Sequence, residues 1–305
     1  MKSFAGIEVV DTRLQIVIGD DRANILQRYT AGINRNAGAE AMCAQITTLF
    51  NEIDTEIIRG IGIGFGGPVD HKTGKIWTSY DMEGWSNFPL RNWLSDLTGV
   101  FVSVENDANV AAFGEALFGA GRNYDNVFYV TIASGIGAGH VVGKEIYHGN
   151  RPGETELGHV RLDKTCRTVQ ACCSITAIET KIQSAVSTQR GSFLAKSLNR
   201  SKDQPIVSLM NGVSRNDELS LQIFFEVADD IAFAISHAVH LLHPETIVIG
   251  GNVDFVNEAL RSAVEDKIKI YIMEAFHPGP DIQLSALRND AVTVGALALA
   301  IAHKE

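Results

Sequence analysis

The chain lacks several features that would each fix a class. No apolar run approaches the ~20 residues that a membrane-spanning helix needs. The opening residues, MKSFAGIEVV, hold no long apolar core of a secretory signal. Only four cysteines are present, Cys43, Cys166, Cys172 and Cys173, too few for a disulfide scaffold at 305 residues. These absences lead us to expect a protein of a reducing, cytoplasmic compartment, without membrane contact. There is no long basic run. With 26 basic against 36 acidic side chains the formal net charge is −10, which argues against a protein that grips nucleic acid mainly through its phosphates. A nucleotide remains compatible, because a few local donors can hold a phosphate on an acidic protein. Glycine is nearly missing from one stretch: only Gly191 and Gly212 fall between His159 and Ile249.

Elsewhere glycine is abundant. The chain has 28, against roughly 21 at the average usage of about 7%. Five lie between Gly60 and Gly67, and ten between Gly114 and Gly158. Glycine supplies positive φ and lets a backbone approach a ligand closely. The glycine-rich parts are therefore candidate site loops and the glycine-poor stretch a helical scaffold. A content of 45% hydrophobic and 20% charged residues is that of an ordinary globular protein, and the length suggests about two domains, each able to bury a core.

Periodicity predicts strands over 4–9 and 14–18 around a short turn, and a helix over 39–53. A buried strand over 60–65 ends in Gly66-Gly67-Pro68. A short helix over 90–98 and a strand over 100–104 follow. That strand runs into Glu105-Asn106-Asp107 and a helix over about 108–118. Further strands are predicted at 127–132, near 140–142 and at 246–249, with helices over 219–242 and 292–302. Alternating strands and helices make the class α/β. The strand–turn–strand unit at the start has a faint echo at 127–142, as though two similar halves faced one cleft.

The ordered set GIEV–VDT, GIGFGGPV, ENDAN, SGIGAG, ELGH, a short cysteine cluster and PETIVIGGN resembles the ROK family, which contains repressors and sugar kinases of the actin-like ATPase superfamily. The resemblance runs from Phe4 to about Ala300. It implies two actin-like ATPase (ribonuclease H-like) α/β domains with an interdomain cleft. We expect a smaller domain over 1–118, completed by the C-terminal helix over about 292–305, and a larger one over 119–291. It also implies ATP and Mg²⁺, a sugar substrate, and a homodimer or homotetramer. The winged helix that precedes the kinase-like part in repressor members is expected to be absent, since this chain starts directly on the first strand.

By this resemblance Asp107 is the general base, a role suited to a carboxylate at a strand end. From the residues alone a helix N-cap is the favoured reading. Asn106 would bond a sugar hydroxyl. Gly66, Gly67 and Pro68 would close on the sugar ring, or form a plain strand-ending turn. Asp81, with Trp85 in DMEGW, resembles a further sugar-side loop, where the family usually has Asn in place of Asp81. Glu156, in ELGH, would accept hydrogen bonds from the sugar, and His159 beside it would be a sugar contact or a zinc ligand; alone, such a pair is more often a solvated turn. Ser134, Gly135 and Gly137 match a phosphate loop, whose N–H groups can converge on phosphate oxygens. Gly250 and Gly251 match the adenosine-side turn, with Asn252 in place of a third glycine. Glu8, Thr12 and Arg13 match the first phosphate loop and its Mg²⁺ carboxylate.

Two motifs depart from the family pattern. The first phosphate loop reads Gly6-Ile7-Glu8-Val9-Val10-Asp11-Thr12-Arg13 where Gly-Ile-Asp-x-Gly-Gly-Thr-Lys is usual. Val10 resists positive φ, Asp11 brings a carboxylate toward the phosphates, and Arg13 is not the point charge of lysine. In the zinc motif only Cys166 and Cys173 remain at their places, Thr168 replaces the middle cysteine, and Ile175 replaces a sugar-binding glutamate. His159, Cys166 and Cys173 make three ligands at most where structural zinc takes four, so no structural zinc is expected. The leading expectation is an ATP-dependent kinase of a hexose or amino sugar. The alternative is a ROK-fold sugar-binding or regulatory protein that has lost ATP use.

Overall fold

The structure, a computed structural model, describes residues 2–10, 13–32, 38–78, 84–150, 153, 155–200 and 204–302. The chain forms two compact units. The first comprises Met1–Tyr129, Ala138–Thr155 and Ser285–Glu305; the second comprises Val130–Gly137 and Glu156–Leu284.

The first unit opens with strands β1 (Ser3–Val10), β2 (Arg13–Gly19) and β3 (Ile25–Gly32), then helix α1 (Gly38–Phe50) and strand β4 (Ile58–Phe65). A short hairpin, β5 (Val69–Asp70) with β6 (Lys75–Ile76), precedes helix α2 (Leu90–Thr98), strand β7 (Val102–Asn106) and helix α3 (Asp107–Phe118). The sheet has the order β3-β2-β1-β4-β7, antiparallel across the first two pairings and parallel across β1–β4 and β4–β7. One register row joins Glu8, Gly64 and Glu105, and the next joins Val9, Phe65 and Asn106. Helices cover both faces, so β1 and β4 read as near-continuous apolar runs rather than alternating ones.

On one face Ile7, Ile16, Ile63 and Val104 pack with Met42 and Ile46 of α1 and Leu94 of α2. Each such side chain stabilises the fold by about 1.5–3 kcal/mol on burial. The other face receives the C-terminal helix. A Cβ on Gly6 would lie 2.7 Å from the Thr293 carbonyl, and one on Gly60 2.8 Å from that of Ala300. The glycines at 60–64 therefore sit inside a strand and admit a helix at close range. This is the strand expected over 60–65, with Gly66 and Gly67 in the turn that ends it; the abundance of glycine that marks this stretch as a candidate site loop here serves helix packing instead.

Strands β8 (Asn126–Ile132), β9 (Ile136–Val142) and β10 (Glu145–Ile146) begin the second sheet. Helices α4 (Val169–Cys173), α5 (Ile175–Thr188), α6 (Phe193–Arg200), α7 (Pro205–Ser214) and α8 (Glu218–Leu242) follow. Strand β11 (Thr246–Gly251), helix α9 (Glu258–Tyr271), strand β12 (Asp281–Leu284) and helix α10 (Ala291–Ala302) complete the chain. The second sheet has the order β10-β9-β8-β11-β12. It repeats the arrangement of the first, with an opening meander on one side and later strands on the other, so the faint internal echo is a structural repeat. Helix α8 buries Ile223, Val227, Ile231 and Ile235 at helical spacing. Asp217 caps its start, and it ends at His243, whose φ of 49° is left-handed, just before Pro244.

Most boundaries differ by a residue or a few from the sequence reading, and the shifts that touch expected site residues are these. Strand β7 runs two residues further, to Asn106, and α3 starts at Asp107. Strand β9 starts at Ile136, so the second half of Ser134–Gly139 is strand rather than loop. Among the described residues, no helix is long and apolar enough to cross a membrane.

Candidate active site

In the first unit, β1, β4 and β7 run parallel and end together, the usual place for a ligand in an open α/β sheet. The Gly66 N–H donates to the Val9 carbonyl at 2.9 Å. Gly67 takes a φ of +142°, which favours glycine. Its carbonyl accepts from Asn106 Nδ2 at 3.2 Å. The Pro68 carbonyl accepts from Trp77 N–H at 2.9 Å. The structure thus brings Gly66, Gly67, Pro68, Asn106 and Asp107 to one sheet end.

The cap of α3 is Asn106, in an extended conformation with ψ of 143°. Its Oδ1 accepts from Ala108 N–H at 2.9 Å and Asn109 N–H at 3.2 Å. Asp107 is the first helical residue, and one of its carboxylate oxygens accepts from Ala108 N–H at 2.9 Å. The structural task that Asp107 could have had in the sequence reading falls to its neighbour.

Glu8 is buried and 2% exposed. Arg13 donates to its Oε1 and pairs with it, and Gln15 Nε2 donates to its Oε2 at 2.9 Å. Gln15 in turn accepts from Arg28 at 2.5 Å, and Arg28 pairs with Asp290 at 2.9 Å. Burial pushes the Glu8 carboxyl above its ordinary range, and Arg13 opposes that shift. Gln15 and Arg28 were missed in the sequence; the antiparallel register of Glu8 with Gln15 is the signal that finds the first. A carboxylate has about four acceptor sites, so Glu8 has capacity left toward water around a hydrated Mg²⁺. Direct coordination fits less well, because both oxygens already accept a hydrogen bond. Asp11 and Thr12 of this turn lie outside the described residues, as does Asp81. Trp85 is fully buried in the apolar core, edge-on to Phe65 at 5.0 Å. It packs the sheet face rather than presenting a sugar-side surface.

In the second unit, Ala133 N–H donates to the Gly135 carbonyl at 2.9 Å, closing the turn that holds Ser134. The Ser134 carbonyl accepts from Thr176 Oγ1 at 3.1 Å, and Ile136 N–H donates to Gln170 Oε1 at 3.3 Å. The loop is braced by α4 and α5, and Gly137 lies in β9. Gly250 and Gly251 end β11; Gly251 has a φ of +114°, and a Cβ there would collide with the Ile132 backbone. Asn252 donates its N–H to the Ile132 carbonyl at 2.7 Å, and its Oδ1 accepts from Asp254 and Phe255 N–H. The asparagine that replaces a third glycine therefore caps the next turn. Glu156 precedes and His159 ends a single 3₁₀ turn, Leu157–His159, with His159 Nε2 and Glu156 Oε2 3.8 Å apart. Their side chains are 49% and 72% exposed, open to a ligand.

The cysteine segment carries its own hydrogen bonds. Leu162 N–H donates to the Arg167 carbonyl at 2.8 Å and Val169 N–H to that of Val160 at 2.9 Å, making a small hairpin. Thr168 caps α4 through Ala171 N–H, and Arg167 pairs with Asp230 at 2.8 Å. Cys166 is exposed, whereas Cys173 is fully buried and burial pushes its thiol far up.

A model of the ROK family matches residues 4–303. A glucokinase of Thermotoga maritima is 29% identical over 303 residues, covering 96% of each chain. A xylose repressor of Caldicellulosiruptor bescii is 23% identical, over 99% of this chain and 74% of the repressor. The crystal structure of a ROK family glucokinase from Streptomyces griseus, in complex with glucose and AMPPNP, superimposes with a TM-score of 0.84. It covers 98% of this chain and 99% of the other at 22% identity, a likeness of fold. The fold is that of the actin-like ATPases, and the chain belongs to the ROK family.

Proposed function

We propose that this protein is an ATP-dependent sugar kinase acting on a hexose or amino sugar, with Asp107 as its general base. The observation that carries the reading is the division of labour at the β7–α3 junction. Asn106 caps the helix, and Asp107 stands beside it at the end of three parallel strands. In the proposed reaction a sugar hydroxyl gives its proton to the Asp107 carboxylate. The hydroxyl oxygen forms a bond to the γ-phosphorus of ATP, the bond to the bridging oxygen breaks, and ADP leaves with that electron pair. Asn106 Nδ2 and the Gly66-Gly67-Pro68 turn would orient the ring. Glu156 and His159, both open to solvent, would accept or donate to further hydroxyls. Ser134, Gly135, Gly137, Gly250 and Gly251 are proposed on the ATP side, with Glu8 and Arg13 near its phosphates. When bound through water at Glu8, Mg²⁺ would spread the charge of the phosphates.

The relatives support the class, since the Thermotoga maritima protein is a glucokinase over nearly the whole length. The test is ADP formation by the pure protein with ATP, Mg²⁺ and a panel of hexoses, including N-acylated ones. Turnover on one or more sugars is expected; none on any would sink the proposal.

A second reading rests on Glu8 and Arg13. Their mutual pairing turns the two groups that the resemblance assigns to phosphate and Mg²⁺ toward each other. Ile175, at the first turn of α5, offers no hydrogen-bonding side chain where the family has a glutamate. A sugar-responsive protein without ATP use would bind sugar in calorimetry and show no heat with ATP.

A further inference from the structure

We propose that His71, Glu105 and His148 form a binding site for one divalent transition-metal ion of the zinc type, separate from the eroded cysteine motif. One ligand atom from each of the three lies within 4.8 Å of the others, the single such grouping of His, Cys, Asp and Glu among the described residues. All three belong to the first unit.

The carboxylate is already set for this task. Glu105 Oε1 accepts from Asn106 N–H at 2.8 Å and from Asn109 Nδ2 at 3.1 Å, which fixes the group. Its Oε2 faces His148 Nε2 at 2.5 Å. Such outer hydrogen bonds are what orient a ligating carboxylate in built metal sites. His71 Nδ1 is buried without a hydrogen-bond partner, an unmet demand on a polar atom. The His71 and His148 rings stack at 3.6 Å, with 14° between their planes.

Two imidazoles and one carboxylate are a donor set for zinc and its neighbours rather than for Mg²⁺, which prefers oxygen. At bond lengths of about 2.0–2.1 Å, tetrahedral ligand atoms stand about 3.3 Å apart. The present spread of up to 4.8 Å therefore needs closure by up to about 1.5 Å, while the Glu105 Oε2–His148 Nε2 pair, now 2.5 Å apart, opens by about 0.8 Å. Ring lone pairs lie in the ring planes, so coordination turns the His71 ring out of the parallel stack. His71 sits in the turn between β5 and β6, where a side-chain rotation disturbs no ladder. Three protein ligands leave a fourth position for water. The bound ion would tie the segment after β10 and the β5–β6 turn to the strand end that carries Asn106 and Asp107.

The test uses the full chain, stripped with a chelator and titrated with ZnCl₂ and then CoCl₂. We expect one equivalent of Zn²⁺ per chain, a raised melting temperature, and a tetrahedral Co²⁺ visible spectrum without thiolate charge transfer. H71N and H148N, each checked for folding by circular dichroism, should weaken Zn²⁺ binding about tenfold or more, while C166S leaves it unchanged. Absence of stoichiometric binding to the wild-type chain would overturn the proposal. So would a cobalt–thiolate charge-transfer band, or a folded H71N that binds as tightly as wild type.

Discussion

Replacing Asn106 separates its two tasks. Its side-chain oxygen caps α3, and its amide nitrogen donates to the Gly67 carbonyl at 3.2 Å. Asn106→Ala removes both. Loss of a cap costs about 1 kcal/mol, and the lost hydrogen bond to Gly67 adds about 1 kcal/mol, for a total near 2 kcal/mol. Asn106→Ser keeps a capping oxygen and loses only the amide, at about 1 kcal/mol. For a unit of this size 1 kcal/mol moves Tm by about 2–4 °C. Thermal unfolding followed by circular dichroism should therefore show Asn106→Ala lower by about 4–8 °C and Asn106→Ser by roughly half of that. Both should lose sugar affinity alike, because the Gly67 turn loses its tether in each. Equal destabilisation by Ser and Ala would refute the assignment of the cap to Asn106 rather than Asp107.

Three further outcomes follow from the first unit. Glu115 is fully buried, and its oxygens accept from Ser285 Oγ at 2.5 Å and from the N–H groups of Ala120, Ala286 and Leu287. Glu115→Ala should lower stability in urea by about 3 kcal/mol or more, since each orphaned buried donor costs about 1–3 kcal/mol. A loss under 1 kcal/mol would mean that water replaces the carboxylate. Gly6→Ala drives a methyl against the Thr293 carbonyl, 2.7 Å from the ideal Cβ, and should cost about 1–3 kcal/mol; an unchanged urea midpoint would show that α10 can move away. Burial raises the Glu8 carboxyl, so the folded form holds its proton more tightly than the unfolded chain. The corresponding stability is present below the ordinary glutamate range and is lost as pH rises through the folded value. Glu8→Gln should flatten that part of the pH–stability curve, and a curve identical to wild type would contradict the assignment.

Much of the first unit was legible because periodicity and turn chemistry agree there. Strands β1, β2 and β4, helices α1 and α2, and helix α10 all lie within a few residues of their sequence-based bounds. Strand β3 was not legible: ILQRYTAG is an edge strand with mostly exposed side chains, so it carries no buried stripe. The site junction shifted by two residues because Glu105 and Asn106 are polar yet buried at a strand end, held by hydrogen bonds that no hydropathy pattern reports. The glycines of β4 lie in the strand predicted there, although their abundance marks the stretch as a candidate site loop. Composition alone does not distinguish a glycine that admits a ligand from one that admits helix α10. The pairing of Glu8 with Arg13 was equally hidden, since it depends on two strands folding back in register. His71, Glu105 and His148 are far apart in sequence and meet only through the fold.

The central claim is that Asp107 takes the hydroxyl proton while its neighbour does the structural work. The direct measurement is single-turnover phosphoryl transfer by wild type and Asp107→Asn on the best sugar of the panel, with sugar and ATP binding measured by calorimetry in parallel. The account predicts that Asp107→Asn folds and binds both ligands with little change, while transfer slows by about 10²–10⁴-fold. Transfer by Asp107→Asn within a few fold of wild type would contradict it.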